Sequence, residues 1–289
     1  MIAGLTLTVV LAAGFRGAAP PSPPASIHWE KNFDEALRKA RRAGKPVIVD
    51  FWAEWCSWCI RLDHTTYVDP LVVHKAQDFV AVKVDTEGSP KDVDVARRYW
   101  VDNLPTILFV SPQGRQLWRV NGYQGEGVFP RTLDKVLAIA RQVIAMEDEL
   151  LRNPDDPHAL AGLGSHLYEV GVTFYQEGCL DDARQLLGRA AQRDGEESSE
   201  DRRHTRMLLA VLENMRKNFP EAERLVKEAL SLGPRAEEQP GLLYVLGQTY
   251  LHWGREDEGV RTIEIIVQQY PQSPIAQKAR ETLTNLKPR

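Results

Sequence analysis

The hydrophobic positions of residues 27–141 alternate between the spacing of helices and the spacing of strands. An amphipathic helix is predicted first, with Asn32 and Glu35 placed as a capping box at its start. It is followed by PVIVDFWA (46–53), a continuous apolar run that is typical of a central strand buried on both faces. Because only Asp50 interrupts this run, the strand is expected to carry a buried acid that requires an explanation.

The alternation continues up to a closing hairpin. One predicted helix follows the cysteines and ends near His64, and three more span about residues 70–77, 90–99 and 130–151. The predicted strands span residues 79–84, 106–110 and 116–121. The turn SPQG separates the last two strands. Strands that alternate with helices in this way predict an α/β sandwich for residues 27–150.

Beyond Pro154 the strand patterns stop, and small residues recur at fixed offsets. Three sets share separations of 12, 7 and 5 residues: Gly171, Ala183, Ala190 and Gly195; Ala210, Ala222, Ala229 and Pro234; Gly247, Gly259, Ile266 and Pro271. Each set predicts two antiparallel helices that cross closely at the small residues. Residues 151–289 are therefore expected to form an all-α domain.

These helical units resemble tetratricopeptide (TPR) repeats. Their expected bounds are about 164–197, 203–236 and 240–273, followed by a capping helix at 274–287. The units recur at 39 and 37 residues, whereas the family spacing is about 34, so the extra residues are expected in the loops. Arg206 and Glu213 stand where the other units have apolar residues. The resemblance implies a concave surface that binds a peptide or protein ligand.

Length and composition agree with two globular domains. The chain has 289 residues, of which 43% are hydrophobic and 26% charged. A formal net charge of -4 gives no general attraction to phosphate, so nucleic acid is not an expected partner. The basic run RKARRAGK (38–45) lies at the end of the first predicted helix and is interpreted as a solvated face.

The N-terminus begins with an uncharged apolar run from Ile2 to Gly14 and continues into a Pro-rich stretch, residues 18–26. The run is too short to span a bilayer comfortably and is typical of the core of a secretory signal peptide. No Lys or Arg precedes it, which leaves an uncleaved anchor as an alternative. Residues 1–26 therefore predict an exported, periplasmic or extracytoplasmic protein, with a membrane anchor at the N-terminus as the alternative to a cleaved signal peptide, rather than a cytoplasmic one.

Two of the three cysteines lie in FWAEWCSWCI (51–60). A structural zinc site requires four ligands, usually from two such pairs, and the chain has one, so no metal is expected. A c-type haem site requires His after the second Cys, where this chain has Ile60. A bridge across two residues closes too small a loop to stabilise a fold. A redox-active disulfide, with no other cofactor, is the remaining interpretation.

Cys56 follows the predicted central strand and starts a predicted helix. The positive end of the helix dipole would then face its sulfur and lower its pKa from about 8.5 to roughly neutral. Cys59, one turn further on, would be the shielded resolving thiol. Cys179 lies 120 residues beyond Cys59 and is interpreted as a small packing residue.

The run VDFWAEWCSWC (49–59) resembles the active site of thioredoxins. The following run RLDHTTYVDPLVV (61–73) resembles the C-terminal domain of DsbD-type thiol:disulfide interchange proteins. The resemblance covers about residues 27–141. It implies a thioredoxin-like sandwich, a central mixed sheet flanked by helices.

The same resemblance implies roles for individual residues. Cys56 matches the attacking thiol, Cys59 the resolving thiol, and Asp50 the buried acid that accepts the resolving thiol's proton. Lys83 matches a lysine that modulates this acid. From the residues alone, Asp50 could also be a core polar group and Lys83 an edge charge, so both alternatives stay open.

In the run NLPT, Pro105 matches the family's cis-proline, with an ordinary trans proline as the alternative. The substrate-binding residues that the resemblance implies are Trp55, Ser57, Trp58, Leu104 and Thr106. Trp52 is assigned equally to the apolar rim of the site and to the core.

These patterns together predict an exported thiol:disulfide oxidoreductase that reduces protein disulfides and receives electrons from a membrane donor of DsbD type. The TPR repeats would recruit a client or partner. Ile60 replaces the lysine that commonly follows the second cysteine, which leaves the redox potential undetermined. The alternative is an adaptor whose thioredoxin-like domain has a structural or binding role.

Overall fold

A computed structural model describes residues 26–193 and 199–286. The predicted signal peptide or anchor, apart from Ser26, lies outside the described residues, as do residues 194–198 of the predicted loop between the first two helical units. Within the described part, five strands and twelve α-helices follow one another along the chain.

The strands and the first five helices come in this order: β1 (Trp29–Glu30), α1 (Phe33–Ala43), β2 (Val47–Trp52), α2 (Ser57–His64), α3 (Pro70–Ala76), β3 (Val80–Asp85), α4 (Pro90–Arg98), β4 (Thr106–Val110), β5 (Gln116–Asn121) and α5 (Phe129–Arg152). The helical region follows as α6 (Pro157–Phe174), α7 (Glu177–Ala191), α8 (Ser199–Met215), α9 (Phe219–Ser231), α10 (Gln239–His252), α11 (Glu256–Gln269) and α12 (Pro274–Leu286).

The five strands form one mixed sheet in the order β1-β3-β2-β4-β5. β2 pairs in parallel with β3 and antiparallel with β4, which makes it the central strand. Val47, Ile48, Val49, Asp50 and Phe51 are all fully buried, because helices cover both faces of the sheet. The predicted α/β sandwich and its buried central strand are confirmed.

Local signals define the ends of α1 as the sequence indicates. The Asn32 side chain accepts a hydrogen bond from the Glu35 amide at 2.9 Å, which satisfies one of the free N–H groups at the start of the helix. Gly44 ends the helix with φ of 61°, a left-handed conformation that costs glycine little. The apolar stripe of Phe33, Leu37 and Ala40 is buried against the sheet.

The helical region docks on the edge strand β5. The ring of Phe174, at the end of α6, lies 4.9 Å from the ring of Trp118 in an edge-on arrangement. The ring N–H of His166 donates to the Gln116 carbonyl at 3.1 Å. α6 therefore covers a strand edge that would otherwise present unpaired backbone groups to other chains.

The helices after α5 are arranged as the antiparallel pairs α6–α7, α8–α9 and α10–α11. Small residues permit the close crossing: a Cβ on Gly247 would lie 2.5 Å from Ile263 Cγ1, and Ala210 and Ala222 are fully buried. The all-α character of this region is confirmed. Its first helix begins at Pro157, seven residues before the expected unit start at Gly164, because the Asp156 side chain caps it there.

Arg206 and Glu213, which depart from the apolar pattern, are both buried. The Arg206 guanidinium pairs with Glu228 at 3.2 Å, and Asn218 donates to the Glu213 carboxylate at 2.7 Å. Partners from α9 and its cap thus compensate the polar groups.

No helix within residues 26–193 and 199–286 combines the length and the apolar character needed to cross a membrane.

Candidate functional site

The cysteine pair lies where β2 ends and α2 begins. Cys56 and Cys59 form a disulfide and are almost fully buried. Cys56 is the N-cap of α2, and its Sγ accepts a hydrogen bond from the Cys59 amide at 3.1 Å. Because free N–H groups and the positive end of the helix dipole face this sulfur, the position favours a thiolate on Cys56 once the disulfide is reduced.

Asp50 lies in β2, six residues before Cys56, and is fully buried. Lys83 is its neighbour across the β2–β3 ladder, and the Lys83 ammonium donates to Asp50 Oδ2 at 2.7 Å. Oδ1 of Asp50 has no hydrogen-bond partner among the described residues, so this oxygen is available to accept a proton. Lys83 therefore contacts the buried acid directly rather than standing as a plain edge charge.

The pKa of Asp50 is raised above its ordinary value of 3.8. Burial is the main cause, and the charge and hydrogen bond of Lys83 oppose it without reversing it. The pKa of Lys83 is lowered by burial, but Asp50 and a second carboxylate, Asp63, more than offset this and raise it overall. The pKa of the Asp50 carboxyl is therefore shifted toward the pH range in which thiols react.

Asp63 completes a charge cluster that the sequence interpretation missed. The Lys83 ammonium also donates to Asp63 Oδ1 at 2.6 Å and so bridges the two carboxylates. The Asp50 side chain is 0% exposed and that of Asp63 is 40% exposed, so the cluster runs from the core to solvent. Asp63 follows Cys59 by four residues, one helical turn, which is the signal that could have identified it.

Three aromatic rings enclose the Lys83 ammonium. Its nitrogen lies 5.0 Å from the ring centre of Trp29, 5.4 Å from that of Tyr67 and 5.8 Å from that of Trp52. The buried Tyr67 hydroxyl also lowers the pKa of Asp50, although no hydrogen bond of ordinary geometry joins the two groups. Trp52, which the sequence assigned equally to rim and core, is half-buried and belongs to this cage.

Asp63→Asn is expected to lower the pKa of Asp50. The Asp63 charge raises that pKa directly, and without it Lys83 has one carboxylate left to pair with. The pKa is measured by NMR titration of the Asp50 carboxyl in the reduced protein, with Asp94→Asn, an exposed acid on α4, as the control. An unchanged or higher Asp50 pKa would contradict the assigned role of Asp63.

The Leu104–Pro105 peptide bond is cis. Phe51 pairs with Thr106 in the β2–β4 register, so Pro105 lies beside the end of β2 that leads to the disulfide. The Gly122 amide donates to the Pro105 carbonyl at 2.8 Å, which fixes this segment against the end of β5. The structure thus brings the NLPT segment and the cysteine pair to one end of the sheet.

Arg119 holds the chain that leads into this segment, and the sequence interpretation missed it. It is a buried residue of β5 whose guanidinium donates to the carbonyl oxygens of Tyr99 and Trp100, the latter at 3.1 Å. Trp100 has φ of 51°, a conformation that is rare outside glycine.

Cys179, in the first turn of α7, is half-buried, and burial raises the pKa of its thiol to about 11. This agrees with a packing role.

Exposed aromatic residues border the disulfide. Trp55 is 67% and Trp58 50% exposed, Ile60 is 47% exposed, and Ser57 is exposed at the start of α2. The Trp55 indole N–H donates to Glu87 at 2.7 Å. Leu104 is half-buried and Thr106 fully buried, with its hydroxyl donating to the Asn103 carbonyl at 2.8 Å. Of the predicted substrate-binding residues, Trp55, Ser57 and Trp58 are thus accessible side chains.

Comparison with known proteins identifies the fold of this region. Residues 33–137 match the protein family described as "Thioredoxin-like domain". The thiol:disulfide interchange protein DsbD 1 of Pseudomonas aeruginosa is 35% identical over 103 residues, which are 34% of this chain and 17% of that protein. DsbD of Salmonella typhimurium is 35% identical over 121 residues, 39% of this chain and 21% of that protein. The chain therefore matches less than a quarter of the length of either relative.

A solved structure titled "DsbH Oxidoreductase" is 23% identical and covers 44% of this chain and 95% of its own, with a TM-score of 0.37. The family match and the observed sheet agree that the first part of the chain is a thioredoxin-like domain with DsbD-like relatives.

Proposed function

We propose that this chain, through its thioredoxin-like domain, is a thiol:disulfide oxidoreductase that reduces disulfides in client proteins. The observation that carries the proposal is the Cys56–Cys59 disulfide at the start of α2, directly after the strand β2 that bears the buried acid Asp50. The relatives named as thiol:disulfide interchange proteins support the same chemistry. The dithiol needs no further cofactor.

The reaction begins with both cysteines reduced. The Cys56 thiolate attacks one sulfur of the client disulfide, so that a mixed disulfide forms and the other client sulfur leaves as a thiolate. Cys59 then loses its proton and attacks Cys56 Sγ, which releases the second client thiolate and forms the Cys56–Cys59 disulfide. Two electrons pass to the client. Asp50, through its unpartnered Oδ1, accepts the Cys59 proton.

The proposal also includes the direction of electron transfer, from this protein to the client, and a location outside the cytoplasm. A reductant that acts outside the cytoplasm must be re-reduced, and a membrane electron donor of DsbD type would supply the two electrons. The DsbD-like flank of the cysteine pair supports export, and the apolar N-terminal run supports either a signal peptide or an anchor.

The helical region supports a second part of the proposal, recruitment by TPR-like repeats. A groove of about 640 Å³ lies between α8, α10 and α12, and its lining includes His204, Met207, Leu242 and Ile275. Apolar side chains mixed with charged ones suit a peptide or protein ligand. If this binding were the main activity, the chain would be an adaptor rather than an enzyme.

Cys59→Ser is expected to trap covalent complexes with client proteins, because the mixed disulfide on Cys56 cannot be resolved without the second thiol. The complexes are measured on non-reducing gels of cells that express the full chain, and they should disappear on reduction. Cys56→Ser is expected to trap none.

The matched control is the double variant Cys56→Ser, Cys59→Ser, which keeps Cys179. Complexes that persist in this variant would come from Cys179 and not from the proposed site. Absence of covalent complexes in Cys59→Ser contradicts the oxidoreductase. If the double variant still co-purifies non-covalently with the same partners, the adaptor function stands on its own.

A further inference from the structure

A cation lies on α2, the helix that begins at the disulfide. Arg61 is an exposed residue of α2, five residues after Cys56. Its guanidinium carbon is 5.3 Å from the ring centre of Trp58 and 5.1 Å from that of Tyr123. The two rings are themselves 5.4 Å apart. Arg61 therefore stacks on a pair of aromatic rings and is held in place without a carboxylate.

The stack joins two segments that border the cysteine pair. Trp58 stands between Cys56 and Cys59, and Arg61 follows it by three residues, on the same face of the helix. Tyr123 comes from the loop after β5, directly after Gly122, whose amide binds the Pro105 carbonyl. The Tyr123 hydroxyl and the Thr65 hydroxyl share a hydrogen bond of 3.1 Å, which fixes the ring. The cation thus has a defined position between α2 and the loop after β5.

Arg61 makes no ion pair within residues 26–193 and 199–286, whereas the nearby acids have other contacts. Asp63 is bridged by Lys83, and Glu87 binds the Trp55 indole. The pKa of Tyr123 is lowered, mainly by its hydrogen bond with Thr65 and also by Arg61, while burial and the charge of Glu126 oppose this. Arg61 therefore presents positive charge next to Tyr123, and Glu87 presents negative charge next to Trp55.

From this arrangement we infer that Arg61 selects client disulfides that have a carboxylate side chain next to the attacked cysteine. The inference rests on the proposed function and names its substrate class. The Arg61 guanidinium lies over the Trp58 and Tyr123 rings without a carboxylate partner among the described residues, and a guanidinium can bind a carboxylate through two parallel hydrogen bonds. Since the stack already restricts the side chain, little further conformational entropy is lost when a client binds.

The test uses the reduced full-length protein and three disulfide peptides that differ at one position beside the cysteine, with Asp, Asn or Lys there. The wild type is expected to reduce the Asp peptide with a kcat/KM about 2- to 5-fold above that of the Asn peptide, with the Lys peptide lower again. The preference should shrink as salt is added. Equal rates for the three peptides would overturn this inference but would leave the proposed function intact.

Two variants of Arg61 test whether this residue itself causes the preference. Arg61→Gln should remove the preference, and Arg61→Glu should reverse it in favour of the Lys peptide. Arg38→Glu, the same charge change on the exposed face of α1, should leave the wild-type order intact. A reversal by Arg38→Glu as well would attribute the preference to net charge and overturn the inference. Failure of the wild type to reduce any peptide would overturn the proposed function, and the inference with it.

Discussion

Asp50→Asn is expected to slow the oxidation of the reduced protein by a client disulfide by about 10²-fold or more at neutral pH. The amide keeps the shape of the carboxyl but cannot accept the proton of Cys59, so the resolving step loses its base. The rate is measured in a single turnover by the change in tryptophan fluorescence or by acid quenching. The mixed disulfide should accumulate during the reaction, because the first attack by Cys56 does not require Asp50.

The matched control is Glu147→Gln. Glu147 is also a buried acid with a raised pKa, caused mainly by burial, but it contacts Ser111 and Arg115 rather than the cysteine pair. The same chemical change there should leave the redox rate near that of the wild type. If Asp50→Asn reacts at the wild-type rate, Asp50 is a core polar group and not the proton acceptor.

The same variant has an expected effect on stability. The pKa of Asp50 is raised in the folded protein above 3.8, so the unfolded chain loses this proton at a lower pH than the folded chain does. The free energy of unfolding should therefore fall as pH rises from about 4 through the folded pKa. Asp50→Asn cannot ionise, so its free energy of unfolding should lack this decline and exceed that of the wild type at neutral pH.

Gly247→Val is expected to lower the free energy of unfolding of the helical region by about 2 to 3 kcal/mol. A Cβ at this position would lie 2.5 Å from Ile263 Cγ1, so the Ile263 side chain or the packing of α10 against α11 must shift. Urea unfolding followed by far-UV circular dichroism measures the change. The redox rate should be unaffected, since Cys56 and Cys59 lie outside the helical region.

Gly241→Val is the matched control, because Gly241 lies in the same helix and a Cβ there meets no atom within 4 Å. That variant should be close to the wild type in stability. Adding Ile263→Ala to Gly247→Val should recover part of the loss by making room for the new side chain. Equal effects at the two glycines would mean that helix propensity, and not close packing, decides the outcome.

The sequence predicted those parts of the fold that depend on local signals. The buried strand could be identified because its apolar run is continuous, and α1 could be bounded by Asn32 and Gly44 because capping involves neighbours along the chain. The helix pairs could be predicted because a close crossing requires small side chains, and these recur at a constant spacing. Signals of this kind act over a few residues or repeat with a period.

The charge cluster of the candidate site could be predicted only in part. Asp50 was noticeable as the one acid in an apolar strand, and Lys83 was proposed from the resemblance to a family. Asp63 and the aromatic cage were missed, since Lys83 is 20 residues from Asp63 and 33 residues from Asp50. The β2–β3 register brings Lys83 opposite Asp50, and that pairing is not visible in the order of residues.

The sequence by itself determined the cysteine pair, the acid-bearing central strand and the division into an α/β part and a helical part. Only the tertiary structure decided that Lys83 bridges Asp50 and Asp63, that Arg61 stacks with Tyr123 beside the disulfide, and that α6 covers the edge of β5. The physical reason is distance along the chain. Helix, strand and cap signals are local, whereas these contacts join residues that only strand register and helix docking bring together.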